Sequence, residues 1–147
     1  KEELVKAYAD LSVAISDIKI AVRCQKTGKA LNFITEALAP CDSLNISSLT
    51  TAASKTLEDV YNVLMLSPYA SCVEKLKESA SAFEKWCDDR MMDLIKEQKS
   101  NPFTIGPIMA YCIARQNEIN TVRIILSGKL NEIDDSIIRE RLRAMYV

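Results

Sequence analysis

The sequence predicts an all-α fold, a helical bundle with long antiparallel helices. Hydrophobic residues make up 48% of the 147 residues and charged residues 27%, a balance typical of a folded globular protein. The chain contains only 3 Gly and 4 Pro, so it can hardly supply the many tight turns of a β-sandwich or barrel. Apolar residues recur instead at the spacing of helix faces.

The first predicted helix covers residues 2–27. Its apolar side chains recur at alternating steps of four and three, which places them on one face; they are Leu4, Tyr8, Leu11, Ile15, Ile18 and Val22. Gly28 follows directly and is expected to end this helix in a left-handed cap, a conformation that glycine adopts without strain. A shorter helix is expected around residues 30–38, before Pro40.

Residues 41–54 are rich in Ser and Thr and carry no charge after Asp42. This composition predicts a loop with one short helical piece. Thr56 is placed as the N-cap of a helix that continues to Leu66, because its hydroxyl can accept a hydrogen bond from a backbone N–H of the first turn.

The second half of the chain is predicted to form three helices. The longest extends from Pro68 to about Lys99 and carries an apolar stripe, made of Tyr69, Val73, Leu76, Ala80, Phe83, Cys87, Met91 and Leu94. The next covers about residues 107–127 and is closed by Gly128, with a stripe that includes Ile105, Ile108, Cys112, Ile119, Val122 and Leu126. The last helix is expected over residues 134–145.

Composition excludes much catalytic chemistry. The chain has no His, so His-based triads, Cys–His nucleophiles and His metal ligands cannot form within it. Its five Cys are scattered without a CxxC pair, which argues against a zinc site and fits buried thiols in a reducing compartment such as the cytoplasm. No glycine-rich phosphate-binding loop is present. We therefore expect no cofactor, no metal and no enzymatic activity.

The charge balance limits the kinds of partner. Lys and Arg number 19 against 20 Asp and Glu, and neither half has a basic excess, so nucleic acid is not an expected ligand. The longest uncharged stretch, residues 100–114, contains Asn, Thr and two Pro. A membrane-spanning helix needs about 20 mainly apolar residues, so the chain is not expected to span a bilayer.

Two segments repeat at an offset of 100 residues. The repeated element is Val-Arg, four further residues and Gly-Lys; it occupies residues 22–29 and 122–129. Each copy is expected to end a long amphipathic helix at its Gly. The repeat predicts one and a half copies of a duplicated helical domain, with residues 1–66 as the C-terminal part of one repeat domain and residues 67–147 as a final repeat domain.

The C-terminal third closely resembles the C subunit of bacterial and archaeal V-type ATPases and ATP synthases, whose eukaryotic counterpart is the d subunit. The motifs that carry the resemblance are GPIMAY (106–111), EINTVR (118–123), GKLN (128–131) and the closing IRERLRAMYV (138–147). The upstream DIKIAVR (17–23) looks like an earlier copy. Two features depart from the family pattern: Asp17 has one more residue before its Arg than Glu118 has, and Glu132 stands where the family often shows Gly.

The resemblance implies a funnel of three similar helical domains, of which this chain, as a C-terminal fragment, would supply the end of one and the whole of the last. It implies a non-catalytic central-stalk subunit of the rotor, on the cytoplasmic side of the membrane. In this role the protein would couple the rotating shaft of the ATP-hydrolysing or ATP-synthesising head to the membrane ion-translocating ring. The implied partners are the rotor-shaft subunits and the ring, without nucleic acid or a small-molecule substrate.

The candidate interface or motif residues follow from the repeated motif and the resemblance; they are Arg23, Gly28, Lys29, Tyr111, Glu118, Asn120, Arg123, Gly128 and Lys129. The two arginines allow two interpretations. An intramolecular pair with a carboxylate or with helix-end carbonyls is favoured, because an unpaired buried charge is costly; alternatively, they face the funnel and contact a partner subunit.

Two further expectations concern neighbours of these residues. Arg115 and Glu118 are spaced to form a surface ion pair. The aromatic residues Phe83, Trp86 and Tyr111 are expected in the core rather than at an interface. The alternative function is a free-standing cytosolic helical adaptor for protein–protein interaction, and an enzyme that uses Asp or Glu ranks last.

Overall fold

The computed structural model describes residues 3–96 and 104–142, and over these residues the chain forms eight α-helices and no strand. The helices are α1 (Glu3–Lys26), α2 (Leu31–Ala37), α3 (Ile46–Ala53), α4 (Leu57–Met65), α5 (Cys72–Glu78), α6 (Ala80–Lys96), α7 (Gly106–Leu130) and α8 (Asp135–Arg141). The described residues form two compact units, residues 3–77 and residues 78–96 with 104–142. The predicted all-α class is confirmed.

The first unit packs α1 against α2, α3 and α4. Its core contains fully buried apolar residues from each of these helices, including Ile18, Ile34, Leu49, Val60 and Leu64. Four residues of the predicted α1 stripe are buried, namely Leu4, Leu11, Ile15 and Ile18, and the other two are partly buried. Burial of one continuous stripe is what holds a helix of this length to its neighbours, since apolar burial contributes about 25 cal/mol per Å².

The helix ends of the first unit follow the predicted caps. Gly28 has a φ of +63°, and the N–H of Lys29 donates to the carbonyl of Cys24 at 3.0 Å, as in a Schellman motif. The hydroxyl of Thr56 accepts from the N–H of Asp59 at 3.1 Å and so caps α4. The short helical piece predicted within residues 41–54 is α3, which spans eight residues.

The single long helix predicted from Pro68 to about Lys99 is wrong. Residues 68–71 form turns, and Ser79 then separates α5 from α6. The hydroxyl of Ser79 accepts from the N–H of Ala82 at 3.0 Å, which caps the start of α6. Serine competes with the helix for backbone hydrogen bonds, so it interrupts a stripe whose apolar spacing continues unbroken. Residues 97–99 lie outside the described residues.

The second unit packs α7 against α6 and α8. Met92 and Ile95 of α6 form a buried apolar cluster with Ala110 and Ala114 of α7. Further along α7, the buried Gly128 lies against Ile138 of α8, which is also buried. The predicted last helix is observed as α8, and residues 143–145 of that prediction lie outside the described residues.

The end of α7 contradicts the prediction that Gly128 closes this helix. The helix continues to Leu130, and Glu132 adopts the left-handed conformation with a φ of 54°. The N–H of Ile133 donates to the carbonyl of Gly128 at 2.9 Å, so the Schellman motif is the same as at Gly28 but lies four residues further along the repeat. Gly28 and Gly128 therefore do different things: the first ends a helix, and the second permits close packing.

Glu132→Gly is expected to raise the free energy of unfolding by about 1 kcal/mol. A left-handed conformation costs a residue with a Cβ about 1–2 kcal/mol, which the substitution relieves, while the greater entropy of an unfolded glycine offsets part of the gain. Trp86 is the only Trp of the chain and lies in the second unit, so its fluorescence during urea unfolding measures this change.

The matched control is Gly28→Ala, which imposes the same strain in the opposite direction. A Cβ at Gly28 would meet nothing within 4 Å, so only the backbone conformation changes in energy. We expect a loss of about 1 kcal/mol, measured by circular dichroism during urea unfolding. A stability of Glu132→Gly equal to or below that of the parent chain would contradict the assignment of Glu132 as the helix terminator.

Candidate interaction surface

Helix α7 has two faces of opposite character. The inner face, which meets α6 and α8, contains small or polar buried residues, namely Gly106, Ala110, Ala114, Asn117 and Gly128. The outer face contains large apolar residues that are between 44% and 84% exposed: Ile108, Tyr111, Ile119, Val122, Leu126 and Leu130. We call this second set the outer face of α7.

The apolar stripe identified in the sequence for this helix is therefore exposed rather than buried. A Cβ added at Gly128 would lie 2.6 Å from the Cδ1 and Cγ1 atoms of Ile138, so α8 approaches α7 more closely than larger side chains would allow. Small residues on the inner face permit this approach, and the large residues point outward. Helical periodicity identifies the stripe but does not say which face meets the core.

The aromatic residues divide between the core and the surface. Phe83 is buried, as predicted, and stacks on the partly buried Trp86 with 6.0 Å between ring centroids. The prediction that Tyr111 is a core residue is wrong, since it is 64% exposed and belongs to the outer face. Tyrosine tolerates exposure because its hydroxyl remains hydrated, and exposed tyrosines are common at interfaces.

The candidate residues of the first motif lie at the end of α1. Arg23 is exposed, and no described carboxylate is paired with its guanidinium. Gly28 provides the left-handed cap. Lys29 follows it and places its Nζ 5.5 Å from the ring centroid of Phe33, within cation–π distance.

The candidate residues of the second motif lie along α7. Arg115 and Glu118 form the predicted ion pair, and Asn120 accepts a hydrogen bond from Nε2 of Gln116 at 3.1 Å. The Nζ of Lys129 lies 2.5 Å from Oδ1 of Asp135, which links α7 to α8. The hydrogen bond and charge of Lys129 lower the pKa of Asp135.

Arg123 is exposed at the mouth of a cleft between α7 and α8. The cleft has a volume of about 250 Å³ and is lined by Arg123, Ile124, Ser127, Gly128, Ile133, Ile138 and Arg141. Over residues 3–96 and 104–142, no carboxylate is paired with the Arg123 guanidinium. Mostly apolar walls with two arginines suit an apolar group that carries a carboxylate. The same residues contain no cluster of three metal-ligating side chains.

The residue-based prediction missed a pair of buried polar residues. Asp17 and Asn117 are 1% and 8% exposed and stand at the same offset of 100 residues. In burial, Asp17 corresponds to Asn117 and not to Glu118, which is partly exposed and pairs with Arg115. Asp17 lies six residues before Arg23, and Asn117 lies six residues before Arg123. This equal spacing within the repeat was the sequence signal for the two buried positions.

Two opposing effects act on the buried carboxylate of Asp17: desolvation and one hydrogen bond. Its Oδ1 accepts from the N–H of Ala39 at 3.1 Å, while Oδ2 has no partner among the described residues. Burial raises the pKa of Asp17 above its usual value, and the hydrogen bond from Ala39 opposes this only in part. Asp17 thus connects α1 to the segment that follows α2, although burial disfavours the charged form of its carboxylate.

The raised pKa of Asp17 predicts that this residue contributes additional stability as the pH falls through its folded pKa toward its unfolded pKa. Between the unfolded pKa of about 3.9 and the higher folded pKa, the native state binds more protons than the unfolded state, so stability decreases as the pH rises. In Asp17→Asn this slope, at most about 1.4 kcal/mol per pH unit, should disappear.

Urea unfolding followed by circular dichroism at several pH values between 4 and 7 measures this difference. Asp10 and Asp135 have lowered pKa values and lose their stabilising contributions as the pH falls, but both remain in the variant. Their contributions therefore cancel in the difference between the two proteins. Parallel pH profiles of the parent chain and Asp17→Asn would contradict the raised pKa.

Comparison with known proteins places these features in a family. The chain is 43% identical over 42 residues to the C subunit of the A-type ATP synthase of Methanosarcina acetivorans and 46% identical over 41 residues to that of Methanococcoides burtonii. These matches cover 29% and 28% of this chain, and 12% of the length of each relative. No solved structure shows a significant match.

The family assignment rests on a match over nearly the whole chain. The family model described as ATP synthase (C/AC39) subunit matches residues 1–141. This match covers both compact units, both copies of the repeated motif and the outer face of α7. Among the described residues, no helix combines the length and the apolar character that crossing a membrane requires. The chain therefore belongs to the ATP synthase (C/AC39) subunit family.

Proposed function

We propose that this chain is part of a non-catalytic central-stalk subunit that couples the rotating shaft of an A/V-type ATPase to its membrane ion-translocating ring. The observation that carries the proposal is the family match over residues 1–141. The two relatives are named as the C subunits of A-type ATP synthases, which supports an assignment to the same subunit. The chain would then act as a peripheral subunit on the cytoplasmic side of the membrane.

A coupling subunit has to transmit torque without deforming, and the second unit has features that suit this task. Helix α7 is 25 residues long, which corresponds to about 37 Å. Along its inner face it is fixed by the cluster with Met92 and Ile95, and near its end by contact with Ile138. Close-packed helices have low compressibility and so transmit strain.

The exposure of both motif arginines favours their role as partner contacts. Neither Arg23 nor Arg123 is paired with a described carboxylate, so the intramolecular ion pair loses its main support. An exposed, uncommitted guanidinium can form a bidentate contact with a carboxylate of another subunit. The shaft subunits and the rotor ring are the partners that we propose.

Co-purification tests the coupling function. The chain is expressed within its complete subunit and purified with the shaft subunits and the ring of the same organism. We expect it to bind the shaft, and we expect Arg23→Glu combined with Arg123→Glu to weaken that binding while the circular dichroism spectrum stays unchanged.

Arg90→Glu is the control for each of the two exchanges made singly, because it makes the same charge change as one of them at an exposed position outside the motif. Loss of binding in this control as well would show that overall charge, rather than the motif, governs the interaction. If the unmodified protein bound neither shaft nor ring, the coupling function would be wrong and a free-standing helical adaptor would be the better assignment.

A further inference from the structure

We propose that the outer face of α7 binds an amphipathic helix of another protein, whose apolar stripe is bordered by Asp and Glu residues. This inference deepens the proposed function, on which it rests for the complex in which the partner is sought. Its physical basis is the size, the spacing and the charge of the outer face.

The outer face is larger and more continuous than the single exposed apolar residues that protein surfaces ordinarily carry. Its six apolar side chains extend from Ile108 to Leu130, about 33 Å along the helix. Leu126 is 57% exposed and Leu130 is 84% exposed. Single exposed apolar residues are ordinary, but a contiguous apolar patch of this extent marks an interaction surface.

The spacing of this face fits a partner helix. Positions on this side of α7 recur at steps of four, three, four, three and four. Ile108, Ile119, Val122 and Leu126 of the outer face occupy four of these positions, and the exposed Cys112 and Arg115 occupy the other two. This alternation is the heptad pattern of helix–helix seams, in which one helix lays an apolar stripe against another. A helix that lies in a membrane surface keeps its polar face in water, whereas the opposite face of α7 is buried against α6 and α8.

The charges on α7 favour an acidic partner. The helix contains three cations, Arg115, Arg123 and Lys129, and a single carboxylate, Glu118. Arg115 pairs with Glu118, and Lys129 pairs with Asp135 of α8. Arg123 is the cation of α7 that no described carboxylate neutralises, and it borders the cleft between α7 and α8. A carboxylate on the partner helix would pair with the Arg123 guanidinium.

The same charges disfavour a second copy of the chain as the occupant. Two outer faces placed together would bring the excess positive charge of one α7 against that of the other. Like charges opposed across an interface suppress association, whereas a partner with Asp and Glu along its stripe is attracted and steered. The occupant is therefore a different helix, of complementary charge.

Photo-cross-linking in the assembled ATPase complex tests this inference. p-Benzoyl-phenylalanine is incorporated in place of Val122, in the middle of the outer face, and cross-linked peptides are sequenced by mass spectrometry. We expect a cross-link to a segment of another protein with apolar residues at steps of three and four and an excess of Asp and Glu beside them. The same probe in place of Leu66, which is exposed in the first unit, should give no such cross-link.

The affinity of the chain for the partner that cross-linking identifies is the second measurement. Leu126→Asp should raise the dissociation constant at least about 10-fold, as expected for a central apolar contact. Arg123→Glu should raise it about 10-fold in low salt and less in high salt, whereas Arg123→Lys should retain most of the affinity. Leu66→Asp is the matched control and should leave it unchanged.

The outcomes separate this inference from the proposed function. A cross-link from position 122 to a second copy, to lipid or to a basic segment would overturn the inference, as would the absence of any cross-link in a complex that still binds the shaft. In these cases the coupling function could stand. A cross-link to an acidic amphipathic helix of a protein outside the ATPase would support the inference and contradict the proposed function.

Discussion

Gly128→Val is expected to lower the free energy of unfolding of the second unit by about 2 kcal/mol. The new Cβ would lie 2.6 Å from two atoms of Ile138, one of which is the Cγ1 beside the branch of that side chain and cannot swing away freely. Overpacking of a tight contact costs about 1–3 kcal/mol, whereas replacing Gly within a helix regains at most about 1 kcal/mol. The clash therefore outweighs the gain in helix propensity.

Trp86 fluorescence during urea unfolding measures this loss, and a second variant identifies its cause. Ile138→Ala removes both atoms within 2.6 Å and leaves the Cβ, which is 3.8 Å from the added position. In an Ile138→Ala background, Gly128→Val should cost much less than in the parent chain. If Gly128→Val cost the same in both backgrounds, the close approach of α8 to Gly128 would not be the reason that a glycine is needed there.

Ile18→Ala is expected to lower the free energy of unfolding by about 3 kcal/mol, while Ile119→Ala lowers it by less than about 0.5 kcal/mol. Ile18 is completely buried in the first unit, so its truncation leaves a cavity as well as losing transfer free energy. Ile119 is 44% exposed on the outer face of α7, so its truncation leaves no cavity.

Circular dichroism during urea unfolding compares the two variants, which delete the same atoms from two helices of similar apolar spacing. Ile119→Ala is the matched control, because the two positions differ chiefly in their burial. A cost of about 2 kcal/mol or more for Ile119→Ala would mean that the apolar stripe of α7 is covered in the isolated chain, and the outer face would not be available to a partner.

Much of the fold can be predicted from the sequence, because helix signals are local. The cap at Gly28 and the cap at Thr56 both depend on one residue and its immediate neighbours, and both predictions are confirmed. The break at Ser79 was missed because apolar spacing continues across it, whereas the hydroxyl of Ser79 competes for the backbone and caps the start of α6. Periodicity is insensitive to such a local competitor.

The faces of α7 could not be predicted, because they depend on what lies opposite. The apolar stripe and the small-residue stripe share one helix, and only the distance of closest approach of α6 and α8 decides which is buried. The family resemblance pointed to the same family that the match over residues 1–141 confirms. The roles of Arg23 and Arg123 stay proposals, since an interface residue is defined by a partner.

The shift of the helix terminator from Gly128 to Glu132 has a geometric consequence for the two motif copies. Four additional residues extend a helix by about 6 Å and turn its end by about 40° beyond a full revolution. Helix α8 therefore leaves the motif of α7 further along the axis, and in another direction, than α2 leaves the motif of α1. Moving one left-handed residue along a sequence is enough to redirect the next helix, so two copies of one motif can present differently oriented surfaces.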